Sequence, residues 1–174
     1  MRNIKRSFWN TMICALTLVI TSCGFHLSGQ VQLAPPLHRM YIQSADPYSQ
    51  LVRNLTQALK LSQVTVVPTP AEASTILNIL SETESQQLLS VGGTQQTRQY
   101  SLVLSVVFQV TDNTGKMLVP PQTATQSTVI TITANQVLAG SNEADNLYNQ
   151  MRRSIVFDIL YRLSSKSTTK SLSP

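Results

Sequence analysis

The sequence predicts an α+β fold: a two-layer sandwich with two helices packed on one face of a four- to five-stranded mixed, mostly antiparallel sheet. Three observations predict it. Tyr100, Leu102, Leu104, Val106, Phe108 and Val110 alternate with Ser101, Val103, Ser105, Val107 and Gln109, the period of a half-buried antiparallel strand. Leu51, Leu55 and Leu59 repeat every four residues, and so do Leu147, Met151, Ile155, Ile159 and Leu163, the stripes of two amphipathic helices. A sheet with one apolar face and two helices with one apolar stripe each bury one another most economically as two layers.

The elements follow in order. Leu37 to Gln43 reads as a first strand, with Met40 and Ile42 on one face. Asp46 is placed to cap a helix with Pro47 at its first position, and that helix ends near Ser62. Val64 to Val67 is a short β-branched run stopped by Pro68 and Pro70. Ser74 to Val91 is a long strand segment closed by a turn at Gly92 and Gly93. Asp112-Asn113-Thr114-Gly115 has turn composition, so Tyr100 to Ala134 forms a long hairpin whose second strand, Thr123 to Ala134, points Ile130 and Ile132 inward. Asn142 is placed to cap the last helix, with Glu143 and Asp145 complementing its dipole. The tail, residues 165–174, is rich in Ser, Thr and Lys and predicts disorder.

The N-terminus has a different logic. Arg2, Lys5 and Arg6 precede an apolar stretch from Phe8 to Ile20, and small residues Thr21 and Ser22 lead to Cys23. Charge, greasy core and small-residue cleavage site mark residues 1–22 as a secretory signal, too short in its apolar part to span a bilayer. Ile20-Thr21-Ser22-Cys23 resembles the lipobox of bacterial lipoproteins. That resemblance implies an S-diacylglyceryl group and an N-acyl group on Cys23, with Gly24 favouring the outer membrane. Cys14 leaves with the signal, so no disulfide and no thiolate ligand remain in the exported chain. Residues 23–36 read as a lipidated tether, and 37–164 as the folded domain.

Net charge is +5 for the whole chain, from 13 Lys and Arg against 8 acidic residues. Three of the basic residues lie in the signal, leaving 10 against 8. Nothing in that balance argues for a nucleic-acid partner.

The search for catalytic chemistry finds no constellation, and the chain reads as a non-enzyme without cofactor or metal. His26 lies in the tether and His38 at the first strand, neither in a motif with a carboxylate or hydroxyl. Glu82 and Glu84 share one strand face, and a solvated face is the expected explanation. Arg152, Arg153 and Arg162 read as a solubilising helix surface. Arg98, ahead of the alternating strand, and Lys116, in the turn at its far end, are candidates for phosphate recognition on a glycolipid.

Three segments together carry a family resemblance. Cys23-Gly24-Phe25-His26-Leu27, the run Thr97-Arg98-Gln99-Tyr100 before the alternating strand, and Asn135 to Asp145 resemble matching stretches of the lipopolysaccharide-assembly lipoprotein LptE, or rare lipoprotein B, family. The resemblance spans the exported chain. It implies a lipid-anchored protein on the periplasmic face of the outer membrane. Such a protein plugs the β-barrel LptD, assists its assembly and takes part in moving lipopolysaccharide to the outer leaflet. The family's proposed lipopolysaccharide contacts include basic residues near the start of the central strand, where this chain has Arg98; Lys116 is a candidate from its place in the turn. Some members carry a basic residue where this chain has Gly140. The alternative is a free-standing periplasmic scaffold or pilot lipoprotein for another outer-membrane complex.

Overall fold

The computed structural model describes residues 33–93, 97–133 and 137–165. The signal, Cys23, His26, the tether as far as Gln32 and the tail from Lys166 lie outside these residues. Five strands form one open sheet in the order β2-β1-β3-β4-β5. They are β1 (Arg39–Gln43), β2 (Thr65–Val66), β3 (Thr75–Val91), β4 (Thr97–Asp112) and β5 (Met117–Thr133). β1 is parallel to β2 and β3, and the two long pairings β3–β4 and β4–β5 are antiparallel. Helices α1 (Gln50–Leu61) and α2 (Val137–Ser164) cover one face, the expected α+β architecture.

The core forms where the two periodicities meet. Leu102, Leu104, Val106, Phe108 and Val110 are buried on the helix side of β4, while Val103, Ser105, Val107 and Gln109 on the other side are half-buried. Leu51, Leu55 and Leu59 of α1 and Met151, Ile155, Ile159 and Leu163 of α2 pack in the same cluster. Each fully buried side chain of this size contributes about 1.5–3 kcal/mol of transfer free energy.

Several boundaries differ from the sequence reading, each for a local reason. Pro35 to His38 forms a 3₁₀ turn, so the first strand starts at Arg39 instead of Leu37. α1 is capped by Ser49, whose hydroxyl accepts the Val52 N–H at 3.2 Å. Asp46 instead accepts the Tyr48 N–H and builds the preceding loop. β5 begins at Met117 and contains Pro120 and Pro121. Both prolines fall where the register against β4 shifts, on the sheet's outermost strand, so no ladder hydrogen bond is forfeited. The last helix starts at Val137, five residues before the expected Asn142 cap, so Glu143 and Asp145 lie past its first turn. Gly140 sits inside it, against Ile132. A Cβ there would meet three Ile132 side-chain atoms at 3.0 Å, so any larger residue requires the Ile132 side chain to shift by a few tenths of an ångström.

The Asp112 turn forms as expected. Asp112 Oδ1 accepts the Thr114 hydroxyl and the N–H groups of Thr114 and Lys116, which hold its carboxyl below the usual range, and Gly115 takes a positive φ of 88°. α1 ends with Gln63 at φ 63°, its N–H on the Lys60 carbonyl and that of Val64 on the Leu59 carbonyl. This is the left-handed cap that glycine adopts without steric cost. Gln63→Gly is therefore expected to raise stability by roughly 0.5–1 kcal/mol, read from urea unfolding. Ser49→Ala, at the opposite end of the helix, should lower it by about 1 kcal/mol.

Candidate functional site

β3 and β4 continue well past the end of β1, and this projecting arm carries the polar groups that matter. On the helix side of β3, Glu82 and Glu84 lie opposite Val106 and Leu104. α2 sets Arg152 against both. Its Nε donates to Glu82 Oε1 at 2.6 Å, an Nη donates to Glu84, and the other Nη donates to Asn149 at 2.9 Å. One helical turn earlier, the Tyr148 hydroxyl donates to the Ser85 carbonyl at 2.8 Å. Residues two apart on a strand share a face, as do residues four apart on a helix, so two short spacings interlock as one clamp.

This clamp corrects two expectations. Glu82 and Glu84 are ion-paired, Glu82 half-buried and Glu84 still exposed to solvent, and Arg152 is their partner and not a solubilising residue. Arg162 is likewise engaged, with Asp158 at 2.8 Å and the Thr123 carbonyl at 3.1 Å. Each carboxylate gives one oxygen to the same guanidinium, which suits the pair to holding α2 in register. The signal that reveals the clamp was present in the spacings Glu82/Glu84 and Tyr148/Arg152, but neither names its partner.

A groove of about 590 Å³ opens beside the clamp, lined by Ser44, Asp46, Ser49 and Gln50 on one side and by Ile79, Leu80 and Glu82 on the other. His38 is far from chemistry, with Nε2 3.1 Å from the Leu33 carbonyl. Among the described residues no three His, Cys, Asp or Glu side chains gather as metal ligands, and no helix is long and apolar enough to cross a membrane.

Arg98 and Lys116 stand at opposite ends of β4, whose 16 residues span roughly 50 Å. They cannot grip one headgroup together. Arg98 lies at the tip of the arm, exposed, on the face that also bears the exposed Leu88 and Val91.

The open face of the sheet has its own character. Ser81, Thr83, Ser85 and Gln87 of β3 align with Ser101, Val103, Ser105 and Val107 of β4 and with Thr123, Thr125, Ser127 and Val129 of β5. Ser105 and Thr125 hydrogen-bond across the strands at 3.1 Å. It is a broad surface dominated by hydroxyls.

Comparison with known proteins agrees with this geometry. The sequence profile of the family described as "LptE: Lipopolysaccharide-assembly" matches residues 37–163. The chain belongs to that family. A protein from Yersinia enterocolitica named LPS-assembly lipoprotein LptE is 39% identical over 94 residues, 53% of this chain and 45% of that one. A protein of the same name from Photorhabdus laumondii is 32% identical over 101 residues, 58% and 56% of the two chains. This chain thus spans about half the length of the curated relatives it matches. Among solved structures, lipoprotein B from Nitrosomonas europaea superposes with a TM-score of 0.67 at 25% identity, covering 83% of this chain and 93% of that one. The rare lipoprotein B from Shewanella oneidensis shares the fold, with a TM-score of 0.65 at 24% identity and coverages of 76% and 98%. The family is described as one of lipopolysaccharide assembly, and the named relatives are lipoproteins.

Two outcomes test the clamp. Arg152→Ala leaves Glu82 and Glu84 facing each other and should cost about 1–2 kcal/mol in urea unfolding, limited because the Glu84 side chain is 40% exposed and screened. Arg152→Met, which keeps the packed stem, should cost less. Burial, then the Glu84 charge, raises the Tyr148 hydroxyl above the ordinary tyrosine range, with Arg152 opposing. A raised folded-state value means that this stability is complete below about pH 10 and is lost as pH rises through the folded value. Tyr148→Phe should therefore flatten the alkaline decline in unfolding free energy above about pH 10.

Proposed function

We propose that the chain is an outer-membrane lipoprotein, held by acyl chains on Cys23 in the inner leaflet. There it plugs the LptD β-barrel, assists the barrel's assembly, and takes part in delivering lipopolysaccharide to the outer leaflet. The observation that carries this reading is the family match across residues 37–163. The hydroxyl-rich open face supports the plug, because the interior of a wide outer-membrane barrel is polar and hydrated. A flat surface of short Ser and Thr side chains can exchange hydrogen bonds with such a wall at little cost in side-chain entropy.

Lipopolysaccharide contact is assigned to Arg98 in preference to Lys116. Arg98 has no side-chain hydrogen bond or ion pair among the described residues, and it stands beside exposed Leu88 and Val91. A guanidinium next to apolar side chains matches a phosphorylated glycolipid, which presents charge and acyl chains together. Gly140 is excluded from such a role by its packing on Ile132.

Gentle detergent extraction of the native membrane should co-purify a large β-barrel in stoichiometric amount; recovery of this lipoprotein alone sinks the plug. Depletion should leave lipopolysaccharide in the inner membrane, whereas a defect confined to secretion or pili would favour the pilot alternative. Arg98→Glu should weaken lipopolysaccharide binding about tenfold or more, against less than about threefold for Lys116→Glu. Cys23→Ala should remove the acyl chains, read as the loss of their mass from the purified protein.

A further inference from the structure

β1 lies beside β3 only from Met40 to Gln43, paired with Thr75 to Asn78. The chain then turns away through Ser44 to Ser49 into α1. β3 continues to Val91, and among the described residues nothing but β4 pairs with it beyond Asn78. The sheet therefore contains a lane that β1 fills at one end and that no other described strand fills for the remainder.

We propose that this lane, the outer edge of β3 from Ser81 to Leu88, receives an extended segment of a partner polypeptide that adds to the sheet as a strand in line with β1. The chemistry of the edge chooses the occupant. A row of backbone N–H and C=O groups at strand spacing, in which the Ser85 carbonyl already accepts the Tyr148 hydroxyl, is matched by another extended backbone, and not by a glycolipid or an ion. The groove of about 590 Å³ lies at the head of the lane, between Ser44, Ser49 and Gln50, where β1 departs, and Leu80, Ser81 and Glu82.

The two edges of the sheet are also treated differently. β5 is blunted by Pro120 and Pro121. From Ser81 to Val91, β3 contains neither proline nor lysine nor arginine. Its two glutamates, which would otherwise deter pairing as unneutralised charges, are held by Arg152. Bulges at Leu80 and Leu89 bracket Ser81 to Leu88, a regular run of roughly 27 Å, the length of an ordinary strand. Leu80, Leu88 and Leu89 are each about half exposed and would lose surface to an added strand. On the open face the incoming side chains would extend the Ser81-Thr83-Ser85-Gln87 row, which favours small polar residues at alternate positions of the partner.

This inference rests on the lipopolysaccharide-assembly reading only for the compartment in which the partner is sought. Photo-activatable cross-linkers placed at Ser81 and at Ser85 of the full-length lipoprotein, in its native envelope, should capture one partner protein. The two sites should map about four residues apart in one segment. Adding Thr83→Lys and Gln87→Lys, charges that disrupt edge pairing, should reduce that yield about tenfold while the purified protein keeps its circular dichroism and melting temperature. Amide exchange of Ser81 to Leu88 should slow about tenfold or more when the partner is bound. Cross-links to a second copy, to this chain's own residues before Leu33 or after Ser165, or to many proteins without a common segment overturn the proposal. So does unchanged exchange. A captured partner that is not a barrel leaves strand addition standing and removes the plug; a co-purified barrel with a freely exchanging lane does the reverse.

Discussion

The structure depends on the alternation of β4. This strand has long hydrogen-bonded neighbours on both sides, and its buried side chains from Leu102 to Val110 all face the helices. A single slip in register would turn that row to solvent and bring Ser101 and Gln109 inward. β3 and β5 take their registers from it, and α1 and α2 have one apolar surface available on which to pack. Because the helices cover one side only, the other side had to be tolerable to water or to a polar wall. The hydroxyl-rich face is the counterpart of the apolar one.

The arm beyond the end of β1 creates a second problem. There β3 loses its outer neighbour while α2 still runs above it. Tyr148 and Arg152 answer this by fixing the helix to Ser85, Glu82 and Glu84. The ion pairs are partly screened, so their value lies in geometry more than in raw stability: a helix laid over an apolar sheet can slide, whereas a forked guanidinium between two carboxylates has one position. Gly140 works at the other end of the same helix, letting it approach β5 closely at Ile132.

Under the proposed function this arrangement separates tasks. The anchor is assigned to Cys23, the polar face to the environment in which the domain sits, and glycolipid contact to the tip of the arm, where Arg98 stands beside apolar side chains. None of these needs a catalytic group. The long reach of β3, β4 and β5 puts roughly 50 Å between Arg98 and Lys116, so the two ends of the sheet meet different surroundings.

The sequence by itself determined the layers. Period two in β4 and period four in α1 and α2 are local, and they state which side of each element is apolar without reference to anything distant. The Asp112 turn was legible for the same reason: its carboxylate bonds to residues two and four positions away. The expectation of an export signal ending at Cys23 is local too, read from adjacent residues. What the tertiary structure decided is everything that joins residues far apart in the chain. Glu82 and Glu84 resembled a solvated pair until Arg152 arrived about 70 residues later. Asn142 looked like a helix cap, but contact with β5 extended the helix back to Val137 and placed Gly140 inside it. The lane beside β3 that no other described strand fills is of this kind as well, because it is defined by where β1 stops, and hydrophobic periodicity carries no record of that.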